Sequence, residues 1–168
     1  EYPDVMPANA ACSGNANLKE VSDSCHLYGY LFSVHENYVN FMRKAPSFTY
    51  TDCVIDPTNN YEKFWDPVYY QDTVYTMKPS KIANYISSVS TQIHTTFNTD
   101  GLFLDVHSAA GLGAAVDYDA SLTNAGKMTE TLKKYRQGTG LLKAAHGNGL
   151  ISGEGRSHYL YVGYYDDF

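Results

Sequence analysis

Two carboxylates in this chain stand directly behind short apolar runs. Asp105 closes Gly101-Leu-Phe-Leu-Asp105, and Glu154 closes Gly149-Leu-Ile-Ser-Gly-Glu154. An acidic side chain at the edge of a buried run is costly unless it is hydrogen-bonded or used, and a carboxylate that caps a loop is the plain structural alternative. If the two runs are neighbouring parallel strands, their axes lie about 4.8 Å apart. Carboxylates at their ends can then sit about 5 to 5.5 Å apart, a separation at which one attacks a sugar's anomeric carbon while the other protonates the leaving oxygen. This spacing assigns Asp105 the role of nucleophile and Glu154 that of acid and base. Gly153 and Gly155 flank Glu154 and let backbone and substrate approach. Arg156 can hold a carboxylate ionised or bind a sugar hydroxyl.

His107 follows Asp105 by two positions, which on a strand places both on one face, so it reads as a substrate or positioning contact. A rival chemistry would gather His35, Asp105, His107 and His158 around zinc or a similar ion in a metal-dependent hydrolase. The chain has no His-x-His pair on one strand, and neither a cysteine nor a second carboxylate completes the set. No metal and no cofactor is therefore expected.

The elements that must carry these residues can be read in order. Asn17 with Glu20 predicts a helix start, and Leu18, Val21, Cys25 and Tyr28 form one face before Gly29 ends it. Tyr30-Leu-Phe-Ser-Val-His35-Glu-Asn37-Tyr38 reads as a strand running into polar residues, which makes His35, Asn37 and Tyr38 candidate binding residues. Residues 43–79 hold four prolines and many aromatics with little periodicity; this long loop or insertion has Trp65 as a candidate sugar contact and a short strand predicted within 69–75. Ile82, Ile86, Val89, Ile93 and Phe97 recur at helical spacing. A second helix face runs from Met128 through Leu132, Tyr135 and Leu142 to Ala145, weakened in its middle by Gly138 and Gly140.

Helix, strand, loop, helix, strand, helix, strand predicts an α/β fold with parallel strands. No glycine-rich phosphate loop follows any strand. Polar residues at three successive strand ends favour a (β/α)8 TIM-type barrel, which needs about 250 residues, so 1–168 is expected to supply about half of one as a single incomplete domain. The tail from Tyr159 starts like another element and stops, as in a truncated or processed chain. Open sheet edges would pair with another copy or with a missing remainder.

Composition narrows the partners. A net charge of -6 gives no basic surface for nucleic acid. No apolar run approaches the ~18 residues of a membrane span. The 16 tyrosines suit a carbohydrate surface, although packing at the core's edge accounts for most tyrosines; a Tyr-rich binding or self-assembling protein without catalysis is the non-enzymatic alternative. Cys12, Cys25 and Cys53 have no metal-ligand spacing. Cys12 and Cys25 can form a bridge in the extracellular or secreted setting expected here, and three free thiols are the other possibility.

Tyr30 to Tyr38 with His35 and Asn37, Gly101-Leu-Phe-Leu-Asp105-Val-His107, and Ile151-Ser-Gly-Glu154-Gly-Arg156 together resemble the catalytic barrel of the endo-alpha-N-acetylgalactosaminidase-like glycoside hydrolases. The resemblance covers three strands between residues 28 and 156. It implies a retaining attack on alpha-linked glycans, with Asp105 matching the nucleophile, Glu154 the acid/base, and His35 and Asn37 sugar contacts. The remaining strands, and a counterpart for residues 43–79, are absent from the match.

Overall fold

The computed structural model describes residues 1–65 and 71–167. Nine regular elements follow one another: α1 (Gly14–Leu27), β1 (Ser33–Glu36), β2 (Asn40–Met42), β3 (Lys63–Trp65), β4 (Val74–Thr76), α2 (Ile82–Phe97), β5 (Gly101–Leu104), α3 (Met128–Ala145) and β6 (Leu150–Gly153), counted among the described residues. β1, β5 and β6 form a parallel sheet in that order. One helix precedes each strand, which is the expected α/β grammar.

The sheet has two unlike faces. Leu102, Leu104 and Ile151 are fully buried in a core shared with Ile82 and Ile86 of α2 and with Tyr135 and Leu142 of α3. On the other face His35 stacks on Phe103, and Leu150 is exposed. Helices thus cover one side, and the polar strand ends continue the other. Gly138 of α3 does more than weaken its helix. A Cβ there would lie 2.8 Å from the end of Ile82, so its absence lets α3 close on α2.

α1 departs from expectation. It packs on α2: Ser22 Oγ donates to the carbonyl of Phe97, and Leu18 joins Val34 of β1 against Val89, Ile93 and Phe97, whereas Val21 and Tyr28 of the predicted apolar face are exposed. The helix also starts earlier than Asn17. All three cysteines are free, with Cys53 buried and Cys12 exposed.

Residues 37–81 are an excursion at the carboxyl end of β1. Within them β2, β4 and β3 build a small antiparallel sheet. Its aromatics fill one another's space, with Phe41 against Phe48 at 4.8 Å, Tyr50 against Tyr61 at 4.9 Å and Phe41 against Tyr85 at 5.5 Å between ring centroids. Phe41, Phe48 and Tyr75 join the main core, while Tyr50 and Tyr61 remain partly exposed beside them. The strand predicted within 69–75 is β4, starting at Val74; Tyr69 and Tyr70 lie outside the described residues.

One buried carboxylate ties the layers together. Glu36, 1% exposed at the end of β1, accepts from Ser90 of α2, from Tyr38 (2.6 Å) and, through its other oxygen, pairs with Nε2 of His146 at the end of α3 (2.6 Å). His146 Nδ1 in turn meets Thr99 Oγ1 at 2.5 Å. Removing the carboxylate strands three buried polar groups at once. Glu36→Ala is expected to lower the unfolding free energy by about 3 to 5 kcal/mol and Glu36→Gln by less, as measured by urea denaturation of each variant.

Candidate active site

Register decides what meets at the carboxyl edge of the sheet. Glu36, Leu104 and Gly153 are cross-strand partners on the last rung. One residue further, Asn37, Asp105 and Glu154 therefore leave the sheet side by side, and the main-chain N–H of Asp105 still donates to Glu36 O at 2.9 Å. Asp105 and Glu154 thus follow directly on paired residues of neighbouring strands.

Asp105 is held from one side. Its Oδ2 accepts from Asn37 Nδ2 at 3.1 Å and faces His35 Nε2 at 3.5 Å. Asn37 has no choice of orientation, because its Oδ1 accepts the N–H groups of Val39 and Asn40, both at 2.9 Å. Its amide nitrogen must then point outward, to Asn40 Oδ1 and Asp105. The hydrogen bond from Asn37 and the approach of His35 both fall on Oδ2. Asn37 is buried, so it serves Asp105 more directly than it can serve a ligand.

Glu154 is exposed, and its Oε2 accepts the N–H of Val106 at 3.1 Å. Val106 has φ 68°, a left-handed conformation that a β-branched residue rarely adopts. With the N–H of His107 donating to Asp105 O at 2.8 Å, residues 105–107 make a tight three-residue turn. The strain falls between the two carboxylates and aims a peptide N–H at one of them.

That turn also corrects the reading of His107. The strand ends at Leu104, so alternation no longer applies, and His107 turns inward, 1% exposed, against the ring of Tyr135 at 4.7 Å. Neither ring nitrogen has a hydrogen-bond partner among the described residues. Buried there, it does not reach the surface, and no hydrogen bond among the described residues joins its ring to Asp105's carboxylate. Tyr38 is buried too, with its hydroxyl spent on Glu36 and Ser90. Arg156 is exposed, and no ion pair among the described residues joins it to either carboxylate. Gly153 makes room for Tyr165, whose ring lies 2.6 Å from where a Cβ would stand, and not for a ligand. Trp65 contributes its backbone to β3, while its side chain lies outside the described residues. Of the groups a metal would need, only His35 and Asp105 meet; no three potential ligands gather among the described residues. Glu36, His146 and Tyr2 escaped the sequence reading; the position of Glu36 behind an apolar strand is the one local sign that could have flagged it.

Solved structures share this geometry's framework. Alpha-N-acetylgalactosaminidase NagBb from Bifidobacterium bifidum, in complex with Gal-NHAc-DNJ, superposes with a TM-score of 0.81 at 20% identity, over 96% of this chain and 24% of that one. TtGalA, an alpha-galactosidase from Thermus thermophilus in complex with p-nitrophenyl alpha-D-galactopyranoside, gives 0.63 at 14% identity, over 92% of this chain and 29% of that one. A cycloisomaltooligosaccharide glucanotransferase from Paenibacillus sp., complexed with cycloisomaltoheptaose, gives 0.59 at 14% identity, over 83% and 20%. No protein-family model and no curated protein matches the sequence. The chain therefore folds as a segment of a TIM-type barrel, and it spans about a quarter of the length of these neighbours.

His107 carries a pH signature. Burial pushes its pKa down to about 3, against about 6.5 in an unfolded chain. The unfolded state then binds more protons through this range, so the contribution of His107 is intact above pH 6.5 and is lost as pH falls toward 3. Urea denaturation across this window should show His107→Phe losing less stability with acid than the parent chain; equal slopes would contradict this assignment.

Proposed function

We propose that this chain is the part of a retaining glycoside hydrolase that carries both catalytic carboxylates, acting on alpha-linked glycans. One observation supports it above the rest: parallel, in-register pairing of β5 with β6 ends at Leu104 and Gly153, the residues directly before Asp105 and Glu154. In this reading Asp105 Oδ1 forms a bond to the anomeric carbon as Glu154 gives its proton to the leaving oxygen. Glu154 then takes a proton from water, whose oxygen displaces Asp105, and both residues return to their starting states. The two displacements retain the anomeric configuration.

The neighbours named for alpha-N-acetylgalactosaminidase and alpha-galactosidase activity favour a galactose-type sugar in the site. The strand face that bears His35, Phe103 and the exposed Leu150 calls for a cover, and we assign this to further β/α units or to a second copy. Arg156 and Trp65 remain proposed contacts for the remainder of the glycan, in an extracellular setting. A non-catalytic, glycan-binding role is what the assay below would leave if turnover failed.

The test is hydrolysis of p-nitrophenyl alpha-N-acetylgalactosaminide and alpha-galactoside, with the first-formed anomer read by proton NMR. Release of the alpha anomer is expected. Asp105→Asn should abolish turnover, and Glu154→Gln should slow it by about 10² to 10⁴-fold, with partial rescue by azide in Glu154→Ala. Undiminished hydrolysis by Asp105→Asn, or release of the beta anomer, would overturn the assignment.

A further inference from the structure

Resting on that reading, we infer that Tyr2 and His35 are positioning residues that fix which oxygen of Asp105 attacks. His35 bridges two groups. Its Nδ1 lies 3.0 Å from the hydroxyl of Tyr2, and its Nε2 lies 3.5 Å from Asp105 Oδ2. The ring also packs on two aromatic neighbours, Phe103 stacked at 5.6 Å and Tyr2 tilted at 5.8 Å between centroids. Partners at both ring nitrogens make this half-exposed imidazole a strut.

The chemistry of the partners selects the tautomer. An ionised carboxylate only accepts, so the nitrogen that faces it carries the proton. Nδ1 is then the acceptor, and the Tyr2 hydroxyl donates to it. Such a chain sets both the ring angle and the proton's place, as second partners of a histidine commonly do. Asn37 grips the same oxygen. Both restraints fall on Oδ2, leaving Oδ1 as the attacking atom. The 3.5 Å gap is longer than a hydrogen bond, and contacts of this kind often tighten only when substrate is bound.

Tyr2 is far from His35 in sequence but is built into the fold. Met42 N–H donates to Tyr2 O at 3.1 Å, Tyr2 N–H donates to Met42 Sδ at 3.4 Å, and two residues on, Asp4 Oδ2 accepts from Ser47 N–H (2.8 Å) and Oγ (2.7 Å). The excursion beyond β1 thus anchors the segment that supplies the phenol. On this account the N-terminal residues belong to the site.

The experiment is ¹⁵N NMR of the His35 ring in the full chain at pH 8, in which long-range couplings distinguish the two tautomers. The Nε2–H form should dominate in the parent chain, and Tyr2→Phe should shift the ring toward a mixture with the Nδ1–H form. Asp105→Ala should have the same effect from the other side. With the substrates above, Tyr2→Phe should lower kcat about tenfold with KM little changed. A dominant Nδ1–H form in the parent, or an unaltered ring in Tyr2→Phe, would overturn the clamp. Absence of turnover in the parent with the tautomers as stated would overturn the glycosidase reading and leave the clamp standing.

Discussion

The buried carboxylate of Glu36 is the constraint on which the molecule's order depends. Its side chain ties β1 to Ser90 on α2 and to His146 at the end of α3, and its carbonyl holds the N–H of Asp105. A charge-bearing group taken fully out of water is tolerated only when its lone pairs are satisfied. Apart from Tyr38, two residues on, its side-chain partners come from different elements, so satisfying Glu36 fixes where those elements lie. The rung that follows, Asn37 with Asp105 and Glu154, inherits that order.

Two levels of support then act on the two carboxylates, Asp105 and Glu154. From behind, the sheet register and the strained turn at Val106 place the carboxylates and direct a peptide N–H at Glu154. From the side, Asn37 and His35 restrain a single oxygen of Asp105. Both depend on the long excursion after β1: Asn37 and Asn40 begin it, and Met42 fastens the N-terminal segment. What looks like an insertion full of aromatic residues is thus the scaffold of one wall, its rings packed on one another and joined to the main core through Phe41, Phe48 and Tyr75.

Much of the framework is legible in the sequence because its signals are local. α2 repeats apolar residues at helical spacing, and β5 and β6 are short apolar runs bounded by turn residues, so their existence and order follow. The adjacency of Asp105 and Glu154 follows from the single intervening helix. The excursion is opaque because its strands have three residues each, too few to show alternation. His107 is misplaced by strand logic for a different reason. One left-handed residue reverses the direction of the next side chain, and valine gives no hint of it. Glu36 and His146 are separated by 110 positions, and Tyr2 and His35 by 33, so neither pairing leaves a trace in spacing.

The framework shared with solved alpha-glycosidase structures at 20% identity or less establishes the barrel segment, while the chemistry rests on this chain's own residues. The most direct measurement is covalent trapping of the nucleophile. The chain is incubated with an activated, slowly hydrolysed fluoro-sugar of the alpha-galactose type, its intact mass is recorded, and the labelled peptide is sequenced. The account predicts a mass increase of one glycosyl group, carried by Asp105. Label on Glu154, label elsewhere, or an unmodified chain would contradict it.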